Sequence, residues 1–100
     1  MKYDKLVRDK IPEYVLAKGC KPVYHIAESE EYRTKLKAKL LEEANEFIAD
    51  ESIEEFADLM EVVDAIAAYK RFSSEAVVAM RDKKAAERGR FAKRIILEES

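Results

Sequence analysis

The residues best suited to chemistry in this chain are acids. Residues 40–69 hold ten Asp and Glu and no Lys or Arg. Two groups stand out there: Glu42, Glu43 and Glu46, then Glu55 and Asp58. A helical stretch of this length ordinarily carries Glu–Lys pairs at i,i+4, and their absence crowds like charges together. Carboxylates sharing one site cannot all stay ionised without a counterion. Buried charges are therefore paired or coordinate a metal. An all-oxygen donor set suits Mg²⁺, Mn²⁺ or Ca²⁺. Of these, Mg²⁺ keeps several waters and typically bridges carboxylates to a substrate's phosphates. The alternative is a solvated acidic face, and the direction of each carboxylate separates the two readings.

Two long helices must position these acids. Ser29 offers an N-cap for a helix over 29–49, and Ser52 for a second over 53–72. The short break Asp50-Glu51-Ser52 makes them antiparallel neighbours, so a helical hairpin is the expected core of an all-α fold. On a wheel of about 100° per residue with Leu36 at zero, Leu40, Phe47 and Tyr32 form an apolar stripe. Glu43 falls inside that stripe at about 340°, Glu46 on its edge at about 280°, and Glu42 on the polar side at about 240°. With Phe56 at zero on the second helix, Met60, Val63, Ala67, Leu59, Ile66 and Val62 fill a broad apolar arc. Glu55 falls within the arc at about 260°, and Asp58 borders it at about 200°. Each helix thus brings an i,i+3 acidic pair to the border of its buried face, and residues three apart are surface neighbours. The pairs Glu43/Glu46 and Glu55/Asp58 can converge across the hairpin.

Plainer uses compete for the same residues. Glu55 is the last residue of a capping box, Ser52-Ile53-Glu54-Glu55, and its side chain can reach back to the Ser52 backbone. Glu43 can pair with a Lys or Arg from elsewhere in the chain. A carboxylate-bridged di-iron bundle does not fit, because it needs Glu-x-x-His pairs. The only His, His25, has Pro22 three residues before it and reads as a structural or surface residue. One Cys and one His cannot build a four-ligand zinc site within one chain.

The rest of the sequence frames this hairpin. One hundred residues are room for one domain, 1–100. Charged residues make up 40% and apolar ones 48%, with a net charge of −2, so a disordered chain is not expected. Only two Gly and two Pro, with abundant Ala, Glu, Lys and Leu, favour helix. Residues 4–18 read as a short helix, or as two pieces divided by Pro12, ending at Gly19. Residues 21–27 look extended, and a strand pairing of 23–26 with 93–97 is the expectation for the ends. Ser73 and Ser74 open a further helix that Gly89 closes. A domain of this size is marginal alone and gains from self-association. No stretch approaches 18 apolar residues, and residues 1–5 lack the apolar core of a signal peptide. With its single Cys20, the chain reads as cytoplasmic.

The acidic residues also carry a resemblance. Glu42-Glu43-Ala44-Asn45-Glu46, followed by Glu55-Phe56-Ala57-Asp58, resembles the E-E-x-x-E … E-x-x-D signature of the MazG-like all-α nucleoside triphosphate pyrophosphatases. That superfamily includes the phosphoribosyl-ATP pyrophosphohydrolases and the dimeric dUTPases. Lys5-Leu6-Val7-Arg8-Asp9-Lys10-Ile11-Pro12 and Arg88-Gly89-Arg90-Phe91 resemble the opening and closing segments of a small subgroup of house-cleaning pyrophosphatases. The resemblance implies a Mg²⁺-dependent cleavage between the α- and β-phosphates of a nucleotide, releasing a nucleoside monophosphate and pyrophosphate; Mn²⁺ is an alternative ion. It implies metal ligation by Glu43, Glu46, Glu55 and Asp58; Glu42 matches the motif's first position, but its direction on the wheel suggests a role outside the first ring of ligands, or none. It also implies a homodimer or homotetramer built as a helical bundle. The chain is shorter than the dUTPases, which argues against dUTP as the substrate.

A departing pyrophosphate needs cationic donors, and Arg offers bidentate contacts to phosphate. Lys83, Lys84, Arg88, Arg90 and Arg94 are the densest supply, with Arg8 and Lys10 behind them. The same basic run could bind nucleic acid, but a net charge of −2 weighs against that partner. The other rival activities are phosphoribosyl-ATP hydrolysis and a non-catalytic oligomeric helical module. The module explains apolar faces but not inward-facing carboxylates.

Overall fold

The computed structural model describes residues 4–100. Within them the chain is all-helical: α1 (Ile11–Ala17), α2 (Ser29–Ala49), α3 (Ile53–Lys70) and α4 (Ser74–Arg88). No described helix is long and apolar enough to cross a membrane.

Helix α1 is shorter than the expected 4–18, because Pro12 lies in its first turn. Proline's missing N–H is no loss at a helix start, where that donor would be unpaired anyway. Residues 4–10 precede it as non-helical chain. The helix stops at Gly19 (φ 86°), where Gly19 N–H donates to Leu16 O and Cys20 N–H to Val15 O. This is the paired 5→2 and 6→1 pattern of a glycine-terminated helix.

Helices α2 and α3 pack against each other, and they are the only described helices that do so. The Asp50–Ser52 break reverses the chain. Ser52 Oγ then accepts from Glu55 N–H at 3.2 Å and starts α3. Phe47 and Phe56 meet edge-on near the turn, at 5.7 Å between ring centroids. Tyr32 and Tyr69 do the same at the open end, at 5.4 Å. Leu36 and Val62, both in the apolar stripes, are the buried apolar residues among those described. Ser29 does not cap α2: its hydroxyl hydrogen-bonds the Tyr69 hydroxyl at 2.9 Å, and Glu28 takes the cap position.

The strand pairing of 23–26 with 93–97 does not form; the described residues contain no strand. Val23 and Ile26 are 92% and 86% exposed, and Ile95 and Ile96 are exposed as well. A lone two-stranded pairing is marginal in water without a third strand or a packed helix, and neither is present here.

The apolar arc of α3 is only half covered. Val62 is buried, whereas Met60, Val63 and, despite its contact with Phe47, Phe56 remain 40–48% exposed. Helix α4 lies away from the other helices, and nearly all of it is exposed. The radius of gyration, 18.0 Å, is well above the roughly 13 Å of a compact 100-residue domain. The accessible surface of 9512 Å² likewise exceeds the roughly 5,800 Å² of a compact monomer of this mass.

Candidate functional site

Three acids converge across the α2–α3 contact. Glu43 comes from α2, and Glu55 and Asp58 come from the first turns of α3. One carboxylate oxygen of each lies within 4.8 Å of the others, and all three side chains are partly buried. Opposite ligands of a Mg²⁺ ion stand about 4.2 Å apart, twice a bond length of about 2.1 Å. Adjacent ligands stand about 3.0 Å apart, so oxygens within 4.8 Å of one another come into that range by side-chain rotations of the order of an ångström. The residues therefore fit a hard divalent cation.

The chain matches no family model, no curated protein and no solved structure. What the site can do rests on its own residues.

Glu46 is more exposed and stands outside the three-oxygen group. Its charge still reaches the site. Burial first, and then the negative charges of Glu46, Asp58, Glu43 and Asp50, push the Glu55 carboxyl above its ordinary range. The capping box does not compete for Glu55. Ser52 Oγ accepts from the Glu55 backbone, but the Ser52 N–H donates to Asp50 O at 2.8 Å, not to the Glu55 side chain. The Glu55 carboxylate is left facing the cluster.

The other two ligand candidates have cationic neighbours. Arg8 Nη2 donates to Asp58 Oδ1 at 2.8 Å. Lys39 Nζ lies 3.3 Å from Glu43 Oε1 and 3.0 Å from Glu42 Oε2. The pairing anticipated for Glu43 thus comes from its own helix, one turn back. Burial alone would lower the Lys39 ammonium's pKa, but the hydrogen bonds and attraction of Glu42 and Glu43 outweigh it and hold it above its ordinary value. Glu42 also accepts from Lys5 at 3.1 Å. Hydrogen bonds from Lys39 and Lys5 hold its carboxyl below the usual range, although burial opposes them. Glu42 is therefore engaged by two ammonium groups.

The N-terminal segment completes this side of the site. Lys35 Nζ donates to Asp4 O at 2.8 Å, so residues 4–8 lie along α2 and reach α3 through Arg8. A cleft of about 230 Å³ between segment and helix is lined by Lys5, Lys35 and Lys39 among others. These three lysines were not singled out in the sequence. The available signal was spacing: Lys35, Lys39 and Glu43 recur at i,i+4 on α2.

The basic run behaves differently. Lys83, Lys84 and Arg88 lie on α4, which touches neither helix of the pair. Arg90 pairs with Asp82 at 3.1 Å. Arg94 sits in a turn with φ 58°. None of the five contacts the acidic cluster within one chain, and Lys10 makes no ion pair among the described residues. His25 is exposed and bonds Glu31 at 2.8 Å, as a surface residue would.

Proposed function

We propose that the chain is a divalent-cation-dependent nucleoside triphosphate pyrophosphohydrolase of the MazG-like kind, cleaving between the α- and β-phosphates of non-canonical nucleotides. One observation carries the reading: the oxygens of Glu43, Glu55 and Asp58 lie within 4.8 Å of one another on two packed helices. These are three of the four carboxylates that the helix faces and the motif select. When bound, Mg²⁺ supplies charge neutralisation at the phosphates and a lowered pKa for an attacking water. Glu43, Glu55 and Asp58 hold the ion, and Glu46 supports it from outside. Arg8, Lys39 and Lys5 stand at the rim with donors for phosphate oxygens.

The second part of the proposal is assembly. The hairpin of 29–49 and 53–70 is the core of a homo-oligomeric helical bundle. A single chain exposes about 3,700 Å² more than a compact monomer of its mass, above the roughly 1,000–2,500 Å² that one partner contributes to an obligate interface. The exposed row Phe56, Met60 and Val63 on α3 fits a second copy.

The test is a pyrophosphate-release screen over canonical and damaged nucleotides, with Mg²⁺ and with EDTA. Release that requires the metal and vanishes in Glu43→Gln is expected. No metal-dependent release from any nucleotide, with self-association intact, would leave the helical interaction module as the better reading.

A further inference from the structure

We infer that Arg8 is a resident counterion which a divalent cation must displace from Asp58, so that metal binding unlatches the N-terminal segment from α3. The inference rests on the metal reading of the acidic cluster and concerns how that site is filled.

Charge argues for displacement. Without metal, three carboxylates face two cations, Arg8 on Asp58 and Lys39 on Glu43. Glu55 has no cationic partner among the described residues. An incoming divalent ion competes with these two cations for the carboxylates they hold and repels both. Lys39 can drop Glu43 and keep Glu42, which it already holds at 3.0 Å. Arg8 has no second carboxylate among the described residues, so nothing else holds it at the site. It is also the more solvated of the two, with its side chain 59% exposed against 19% for Lys39.

The rest of the segment permits the move. Asp4 and Lys5 anchor on Lys35 and Glu42 of α2, neither of which belongs to the three-oxygen group. Arg8 can then leave while residues 4–5 stay in place. A guanidinium freed at the edge of the site is suited to bidentate contact with a phosphate group. Metal entry would thus turn Arg8 from a carboxylate ligand into a phosphate ligand.

The experiment is a Mn²⁺ titration by calorimetry on the full chain, comparing wild type, Arg8→Gln, Glu43→Gln and Lys18→Gln. Lys18→Gln removes one positive charge that pairs with no carboxylate among the described residues. Hydrogen exchange of residues 6–8 is followed with and without Mn²⁺. Expected are roughly two- to fivefold tighter binding in Arg8→Gln, the range an exposed ion pair is worth, unchanged binding in Lys18→Gln, and faster exchange in wild-type residues 6–8 with metal. Unchanged or weaker binding in Arg8→Gln, an equal gain in Lys18→Gln, or unaltered exchange would overturn the displacement. With wild-type binding present and lost in Glu43→Gln, the metal site would still stand. No Mn²⁺ binding by wild type would remove both.

Discussion

Arg8 and Asp58 stand fifty residues apart in sequence and meet at 2.8 Å, tying the N-terminal segment to the helix that carries two of the three clustered acids. Both side chains are more than a third exposed, so the pair belongs with surface ion pairs and not with buried ones. Such pairs are worth about 0.2–1 kcal/mol. A double-mutant cycle with Arg8→Ala and Asp58→Ala, read by urea unfolding in EDTA at low salt, should give a coupling in that range. At about 1 M salt the screening length falls to about 3 Å and the coupling should fade. No coupling at low salt would mean that the contact does not form in solution.

The geometry ranks the acids for catalysis. Glu43, Glu55 and Asp58 supply the converging oxygens. Glu46 contributes charge from outside them, and Glu42 is held by two lysines. Isosteric amide variants at Glu43 or Asp58 should lower metal-dependent pyrophosphate release by about a hundredfold or more, since a bound ion supplies several kcal/mol of charge stabilisation. Glu46→Gln should lose less, and Glu42→Gln least. Equal losses at all four positions would count against the three-oxygen site.

Much of this was legible because helix periodicity sorts residues by face. Leu36 and Glu43 share one side of α2, and that shared side predicts a half-buried carboxylate next to a buried leucine. Caps were legible where a serine precedes the helix by one residue, as at Ser52 and Ser73. Ser29 misled because a tertiary partner, the Tyr69 hydroxyl, competes for its side chain. Arg8 and Lys5 illustrate what periodicity cannot reach. Their contacts span fifty and 37 residues and depend on where non-helical chain lies. Lys39 stood one residue outside the window without basic residues, and only the i,i+4 rule links it to Glu43. The 23–26 and 93–97 segments have strand-like composition, but among the described residues their large apolar side chains stay exposed.

The end of α3 carries a correctable strain. Arg71 closes the helix at φ 59°, with its N–H on Ala68 O and the Phe72 N–H on Ala67 O. A side chain at this left-handed position costs about 1–2 kcal/mol, while glycine adopts it freely. Arg71→Gly gives back part of that gain through the greater freedom of the unfolded chain. A net stabilisation of about 0.5–1 kcal/mol by thermal or urea unfolding is expected. Destabilisation would indicate that Arg71 makes a contact absent from the single chain.

Assembly is testable at Met60. This residue lies in the middle of the exposed α3 row and is 42% exposed in the single chain. Burying a side chain of this size contributes about 1.5–3 kcal/mol, and a charge placed there resists burial. Wild type should scatter light at a multiple of 11.5 kDa, and Met60→Glu should shift the population toward that mass with a lower melting temperature. A wild-type mass of one chain at working concentrations would refute the bundle.

Glu55 offers the clearest link between the site and pH. Burial, then Glu46, Asp58, Glu43 and Asp50, raise its folded pKa above the unfolded value. The fold therefore prefers the protonated carboxyl. Its contribution to stability is fully present below the ordinary carboxylate range and is lost as pH rises through the raised value. Above that, an ionised Glu55 works against the metal-free fold. Glu55→Gln keeps the side-chain shape without the charge. In EDTA the variant should be more stable than wild type at neutral pH, and their unfolding curves should converge in acid. With Mg²⁺ the order should reverse, because wild type gains about 2.7 kcal/mol at about a hundred times the dissociation constant while the variant loses a ligand. A variant that is less stable than wild type in EDTA at neutral pH would show that the Glu55 charge is compensated before any metal arrives, and that the cluster is a structural ion-pair network.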